Sequence, residues 1–189
     1  MDLTSLCAAC GLSAAAGLNA WLPLFAGAFA QRLDLVDLAQ PFDDLSGTVA
    51  LVVLALLTVA DFVGDKIPAV DSVLHAVGTV VAPVSGAALF TGQTGSDTDL
   101  PTLAAILLGG SVAASIHAGR ATIRPISTVG TAGMANPALS LIEDIGALGL
   151  TLAAFIVPVL AAIAAIGLVV LIVVLWRKRP VARRKVPPR

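Results

Sequence analysis

The residues able to do chemistry are few and clustered. Asp61 and Asp65 are four apart, the spacing that puts two carboxylates on one face of a helix. Lys66 follows directly, and Glu143 and Asp144 are adjacent, about 100° apart around a helix, so they cannot point the same way. His117, Arg120 and Arg124 form a basic group, and His75 stands one turn into an apolar stretch. Acids in this setting bind a cation or a proton, and arginines position an anionic group. The bland alternative is mutual neutralisation, with the acids paired to Lys66, Arg120 and Arg124 and the helices locked together.

Three further candidates are weaker. Asn19 lies next to Gly17 and four residues before Pro23. It supplies either one interhelical hydrogen bond or a ligand contact beside a Pro-loosened backbone. Asn136 precedes Pro137 as a helix cap and ends the stretch GRATIRPISTVGTAGMANP. That stretch, read as a loop, offers backbone N–H groups near Arg120 and Arg124 for an anion such as a lipid phosphate. Cys7 and Cys10 form CAAC; with His75 and His117 they are the weak metal candidates. A structural zinc needs four ligands, and small apolar residues in a packed helix explain both cysteines. No metal and no cofactor is expected. The chain has no nucleophile–base pair, Walker loop or dinucleotide fingerprint, so it does not read as an enzyme. It also lacks a basic aromatic platform for nucleic acid.

The elements that must hold these groups are transmembrane helices. The apolar fraction is 58%, the charged fraction only 12%, and the mean hydropathy +0.98. A soluble fold carries roughly a quarter charged residues. Six apolar segments are expected, at 6–30, 47–64, 72–90, 101–123, 137–157 and 159–176. Each approaches the roughly 20 residues a bilayer needs. The third, interrupted by Pro83 and two glycines, reads as broken or re-entrant, with Asp71 as its cap. Pro158 makes the last two a hairpin or one kinked helix. The fold class is therefore all-α, a polytopic bundle over 1–178 with a disordered basic tail at 179–189. Small Ala/Gly faces suggest a homo-oligomer.

Orientation follows from Lys/Arg bias. Seven of the eleven Lys/Arg lie in the last thirteen residues, which makes that end cytoplasmic. Six spans then put both termini in the cytoplasm, together with Lys66, Arg120 and Arg124. Asp34, Asp37, Asp43, Asp44, Asp97 and Asp99 fall opposite, with Arg32 as their only basic residue. An ungapped match of GLSAAAGLNA (11–20) to GGSVAASIHA (109–118) suggests a three-plus-three inverted repeat.

AAAGLNAWLPL (14–24), DFVGDKIPAVDSV (61–73) with APVSGAAL (82–89), and RATIRPISTVGTAGMANPALSLIED (120–144) resemble the family called domain of unknown function 4126, over about residues 10–157. The resemblance implies a bacterial multi-helix membrane protein, hence the inner membrane. It supplies no activity, substrate or catalytic residue. The family pattern leads one to expect an aromatic or polar residue between His75 and Pro83, where this chain has AVGTVVA, and the tail after Trp176 lies outside the resemblance. The function expected is transport or permeation of a small ion or ligand through a polar site of Asp61, Asp65, Glu143, Asp144, Arg120, Arg124, Asn19 and Asn136. The alternative is an oligomeric scaffold or lipid-binding protein that transports nothing.

Overall fold

The computed structural model describes residues 3–95, 100–131 and 134–177; within these, the side chains at 68–69, 123–129 and 131 are not described. The tail at 179–189 lies outside the described residues. Helices α1 (Leu3–Leu18), α2 (Trp21–Arg32), α3 (Phe42–Leu45), α4 (Thr48–Gly64), α5 (Pro68–Thr94), α6 (Thr102–Thr131), α7 (Asn136–Ile156) and α8 (Pro158–Arg177) account for nearly all of them, and no strand occurs among them. Among the described residues, four stretches are long and apolar enough to cross a membrane: Val70–Thr94, Thr102–Thr122, Asn136–Ile156 and Pro158–Arg177; α1 and α4 are apolar but shorter.

The burial pattern inverts that of a soluble bundle. Along α7 the buried positions include Asn136, Ser140, Glu143, Asp144 and Thr151, while Ile142, Ile145 and Leu152 are exposed. A helix that turns its polar stripe inward and its large aliphatics outward suits a lipid surround. Helix α1 is the axis of the bundle: Gly11 to Gly17 are buried without interruption, and α5, α6, α7 and α8 all pack on it. Its small residues let these backbones come close. The Ser13 hydroxyl donates to the Gly86 carbonyl at 2.9 Å.

Contacts fix the helix directions. Helices α5 and α6 pair Gly78 with His117 and Gly86 with Gly109, so they run antiparallel; Ala9 of α1 clusters with Ala105 of α6 and Gly17 lies against Ala113 and Ile116, so α1 and α6 run in the same direction. The stretches 11–20 and 109–118 are therefore parallel, which rejects the inverted repeat; their likeness reflects a shared need for small residues at crossings. Gly11 touches both Ala154 and Ala161. These stand seven residues apart, which along one straight helix would separate them by about 10 Å. Pro158 therefore begins the return limb of an α7–α8 hairpin.

The N-terminal segment also departs from expectation. The single span expected over 6–30 is two helices, broken at Asn19–Ala20. The Phe42 ring lies between Gly27 of α2 and Gly92 of α5, and the Ala39 N–H donates to the Gly92 carbonyl. Helix α2 thus returns to the end of the bundle from which α1 started. We call this the Asp43 end, and the other the Lys66 end. Leu3 lies at the Asp43 end and Arg177 at the Lys66 end.

Three smaller corrections follow. The third segment is neither broken nor re-entrant: α5 is continuous through Pro83. Asp71 lies in the first turn of α5, behind Pro68, and is not its cap; Asn136 is the first residue of α7, with Ala135 at the cap. The expected anion-binding loop after Arg120 is helix as far as Thr131.

Close packing supplies a first prediction. A Cβ at Gly109 would collide with the Gly86 carbonyl and the Phe90 Cβ, whereas one at Gly149 meets nothing within 4 Å. Gly109→Ala is expected to destabilise by about 1–3 kcal/mol through overpacking. Gly149→Ala should be neutral or stabilising by up to about 1 kcal/mol. Melting in one detergent checks the pair; equal melting temperatures would refute the crossing.

Candidate functional site

The polar side chains converge near the Lys66 end. Helix α4 delivers Asp61 on its last turn; Asp65 caps it and Lys66 follows. Helix α6 contributes His117 and Arg120, α7 contributes Ser140, Glu143 and Asp144, and α5 contributes His75. The α1–α2 break contributes Asn19. These groups are held deep: Asn19, Asp65, His117, Glu143 and Asp144 are all buried.

Asn19 explains both the break and the convergence. Its Oδ1 accepts from the Trp21 and Leu22 N–H groups at 3.1 and 3.0 Å, capping α2 from just outside it. Its Nδ2 donates to Asp61 Oδ2 at 2.9 Å and to Asp144 Oδ1 at 3.0 Å. All four hydrogen-bonding positions of the amide are in use. One side chain therefore stops α1, starts α2 and ties both to α4 and α7.

The carboxylates divide as their helical angles require. Glu143 faces α6, where Arg120 Nη2 donates to its Oε2 at 2.7 Å and lies 3.9 Å from Asp65 Oδ2. Asp144 faces Asn19 and has the Lys66 ammonium 3.6 Å from its Oδ2. Ser140 donates to Asp65 Oδ2 at 3.0 Å. Asp61, Asp65 and Asp144 each offer an oxygen, all within 4.8 Å of one another. A cavity of about 150 Å³ reaches Asp61, Asp65, His75, His117 and Arg120, with Trp21 in its wall. The two imidazoles stack, centroids 4.7 Å apart, with His117 Nε2 3.3 Å from the His75 carbonyl.

The arrangement brings Asp61, Asp65, Glu143, Asp144, Arg120 and Asn19 together. Asn136 is buried at the start of α7 but does not line the cavity. The side chain of Arg124 lies outside the described residues. Arg120 is engaged by two carboxylates, which counts against its holding an anionic ligand. The weak metal set does not assemble: Cys10 lies on α1 in an apolar hollow with Val112 and Ala165, while His75 and His117 stand toward the Lys66 end. Two contributors were not singled out from sequence, Ser140 and Trp21. Ser140 had a usable signal, since it stands four residues before Asp144 and four after Asn136 on one helical stripe.

No curated protein and no solved structure matches the chain. One family profile does match, described as Domain of unknown function (DUF4126), and its match runs from residue 6 to residue 178, through every helix described above and all the converging polar residues. This chain is a member of the DUF4126 family.

Proposed function

We propose that the protein is a small membrane permeation protein whose acidic site takes a small cation. The observation that carries this reading is the approach of Asp61, Asp65 and Asp144 to within 4.8 Å beside a cavity that reaches two of them. Carboxylates at this depth cost roughly 2.5–3.5 kcal/mol each on insertion scales and persist when they have work or partners. The Lys/Arg bias supports a cytoplasmic Lys66 end in a bacterial inner membrane. Helices α4 to α8 would then cross the bilayer, and the folded-back α1–α2 pair would enter and leave from the Asp43 side. Cysteines at Asp43 and Arg184 should label from opposite sides, and one at Leu3 from the same side as Asp43. Labelling of Leu3 together with Arg184 would sink this topology.

A scaffold remains the second reading, because Arg120 and Lys66 already neutralise part of the cluster. Asp61→Asn separates the two. It removes a charge while keeping size and an acceptor for Asn19. If the site takes a cation, this variant should fold yet lose cation-dependent stabilisation and cation flux in proteoliposomes. If the cluster is only structural, the variant should melt lower with no cation response in either protein.

A further inference from the structure

The cavity that reaches His75, His117 and Arg120 has a side opening between two helices. Helices α4 and α5 meet at the turn that joins them, where Gly64 lies against Val70 and Leu74. Beyond that turn α4 packs chiefly on α2 and touches α5 little, so α4 and α5 splay into a V. The cavity of about 150 Å³ sits inside the V, between Leu57 and Ala60 of α4 and Leu74 and Val77 of α5. Ala60 and Val77 are both exposed, Val77 by 46%. With α4 and α5 crossing a bilayer, these residues at the mouth face hydrocarbon, and the route into the cavity runs sideways from lipid.

Two buried polar atoms of α6 accompany the cavity. His117 is 4% exposed, and its Nε2 lies 3.3 Å from the His75 carbonyl. A carbonyl can only accept, so Nε2 carries the hydrogen and Nδ1 of the neutral ring is a lone pair. That Nδ1 has no hydrogen-bond partner among the described residues. Arg120 spends Nη2 on Glu143, and its buried Nε–H likewise has no acceptor among them. His117 and Arg120 are three apart on α6, hence on one face of it, and both line the cavity. A buried acceptor and a buried donor are each costly to leave unpaired.

We infer that this cavity receives the head of a membrane-dissolved alcohol, a hydroxyl on an apolar chain, which enters between α4 and α5. One hydroxyl meets both needs: its O–H donates to His117 Nδ1 and its oxygen accepts from Arg120 Nε–H. A phosphate head would face Asp61 and Asp65, an ammonium head has no acceptor for Nε–H, and an alkane leaves both atoms unpaired. At roughly 30 Å³ per water-sized group, the cavity has room for about five non-hydrogen atoms, the hydroxyl and the first carbons. The rest of the chain lies in lipid along Ala60 and Val77. This goes beyond the cation reading and does not depend on it.

The test uses the full chain in nanodiscs, with hexadecanol carrying a diazirine close to its hydroxyl as photoprobe. Labelled peptides should come from α4 and α5 inside the V and from α6 near His117. Unlabelled hexadecanol should suppress labelling at a concentration about tenfold or more below that of hexadecane, hexadecyl methyl ether or hexadecyl phosphate. The ether accepts but cannot donate, so it isolates the bond to Nδ1. His117→Phe, which keeps a ring but removes that acceptor, should bring hexadecanol to the level of the ether, with its melting curve showing whether it is folded. Val77→Phe narrows the mouth at a lipid-facing position, so it should fold and lose the labelling. Equal suppression by hexadecanol and hexadecane would make the V a crevice for acyl chains and overturn the inference. So would labelling that Val77→Phe leaves unchanged, or no labelling within the V. Suppression by glycerol as effective as by hexadecanol would place the entry in water and reject the lateral route.

Discussion

Arg120→Leu should leave the protein largely misassembled, the largest single-residue loss expected in the molecule. The guanidinium side chain is 12% exposed and serves two carboxylates at once. Removing one member of a buried ion pair strands its partner, at about 3–5 kcal/mol in measured systems. Here Glu143 loses its 2.7 Å bond to the guanidinium, and Asp65 keeps the Ser140 hydroxyl at 3.0 Å. Against a total stability on the order of 5–15 kcal/mol, that loss is a large fraction. The melting temperature in detergent should fall on the order of 10 °C, with loss of the monodisperse peak on gel filtration. Arg120→Lys should recover only part of this, because a point charge on a shorter reach cannot keep the same geometry with Glu143 while leaning toward Asp65. Combining Arg120→Leu with Glu143→Gln should recover part of the loss by removing the charge left without the guanidinium. If Arg120→Leu melts within a degree or two of wild type, the pair is hydrated and holds nothing together.

Much of this site was legible in the sequence, for a physical reason. Charges are so costly in lipid that they must cluster, and only a few residues were available to do so. The division of labour between Glu143 and Asp144 followed from their angle on one helix. The fold was less legible at its N-terminus. A 25-residue apolar stretch satisfies the length rule for one span whether it runs straight or doubles back, because hydropathy does not encode direction. The reversal is written in one side chain, Asn19, whose amide competes with the helix for its own backbone. Read as an interhelical contact, it gave the right chemistry and the wrong chain path. The mistaken inverted repeat has a related origin: Gly11–Ala20 and Gly109–Ala118 are similar because both cross other helices closely, and packing demand leaves no mark of orientation. The helical continuation past Arg120 was missed because Gly, Ser, Thr and Pro argue for a loop in water, while in lipid an exposed loop would leave backbone groups unpaired.

Asn19 is also where cap and carboxylate functions can be taken apart. Asn19→Ala removes all four hydrogen bonds of the amide. Two N–H groups at the start of α2 and one oxygen each on Asp61 and Asp144 lose a partner in a site that is 2% exposed at Asn19. Hydrogen bonds to charged groups are worth about 1.5–3 kcal/mol each, and loss of a cap about 1 kcal/mol more, so the variant should rank beside Arg120→Leu. Asn19→Asp keeps an acceptor for the Trp21 and Leu22 N–H groups but turns both carboxylate contacts from attraction into repulsion. At neutral pH it should be at least as unstable as Asn19→Ala, although it is closer in shape to wild type. Lowering the pH should bring Asn19→Asp back toward wild type, since a proton shared between facing carboxyls restores one donor. Asn19→Ala should gain nothing from that change. Melting of the two variants at pH 7 and pH 5 checks the comparison. If Asn19→Asp matches wild type at pH 7, the bonds to Asp61 and Asp144 are dispensable, and the fold-back of α1 on α2 is held by the cap and by packing alone.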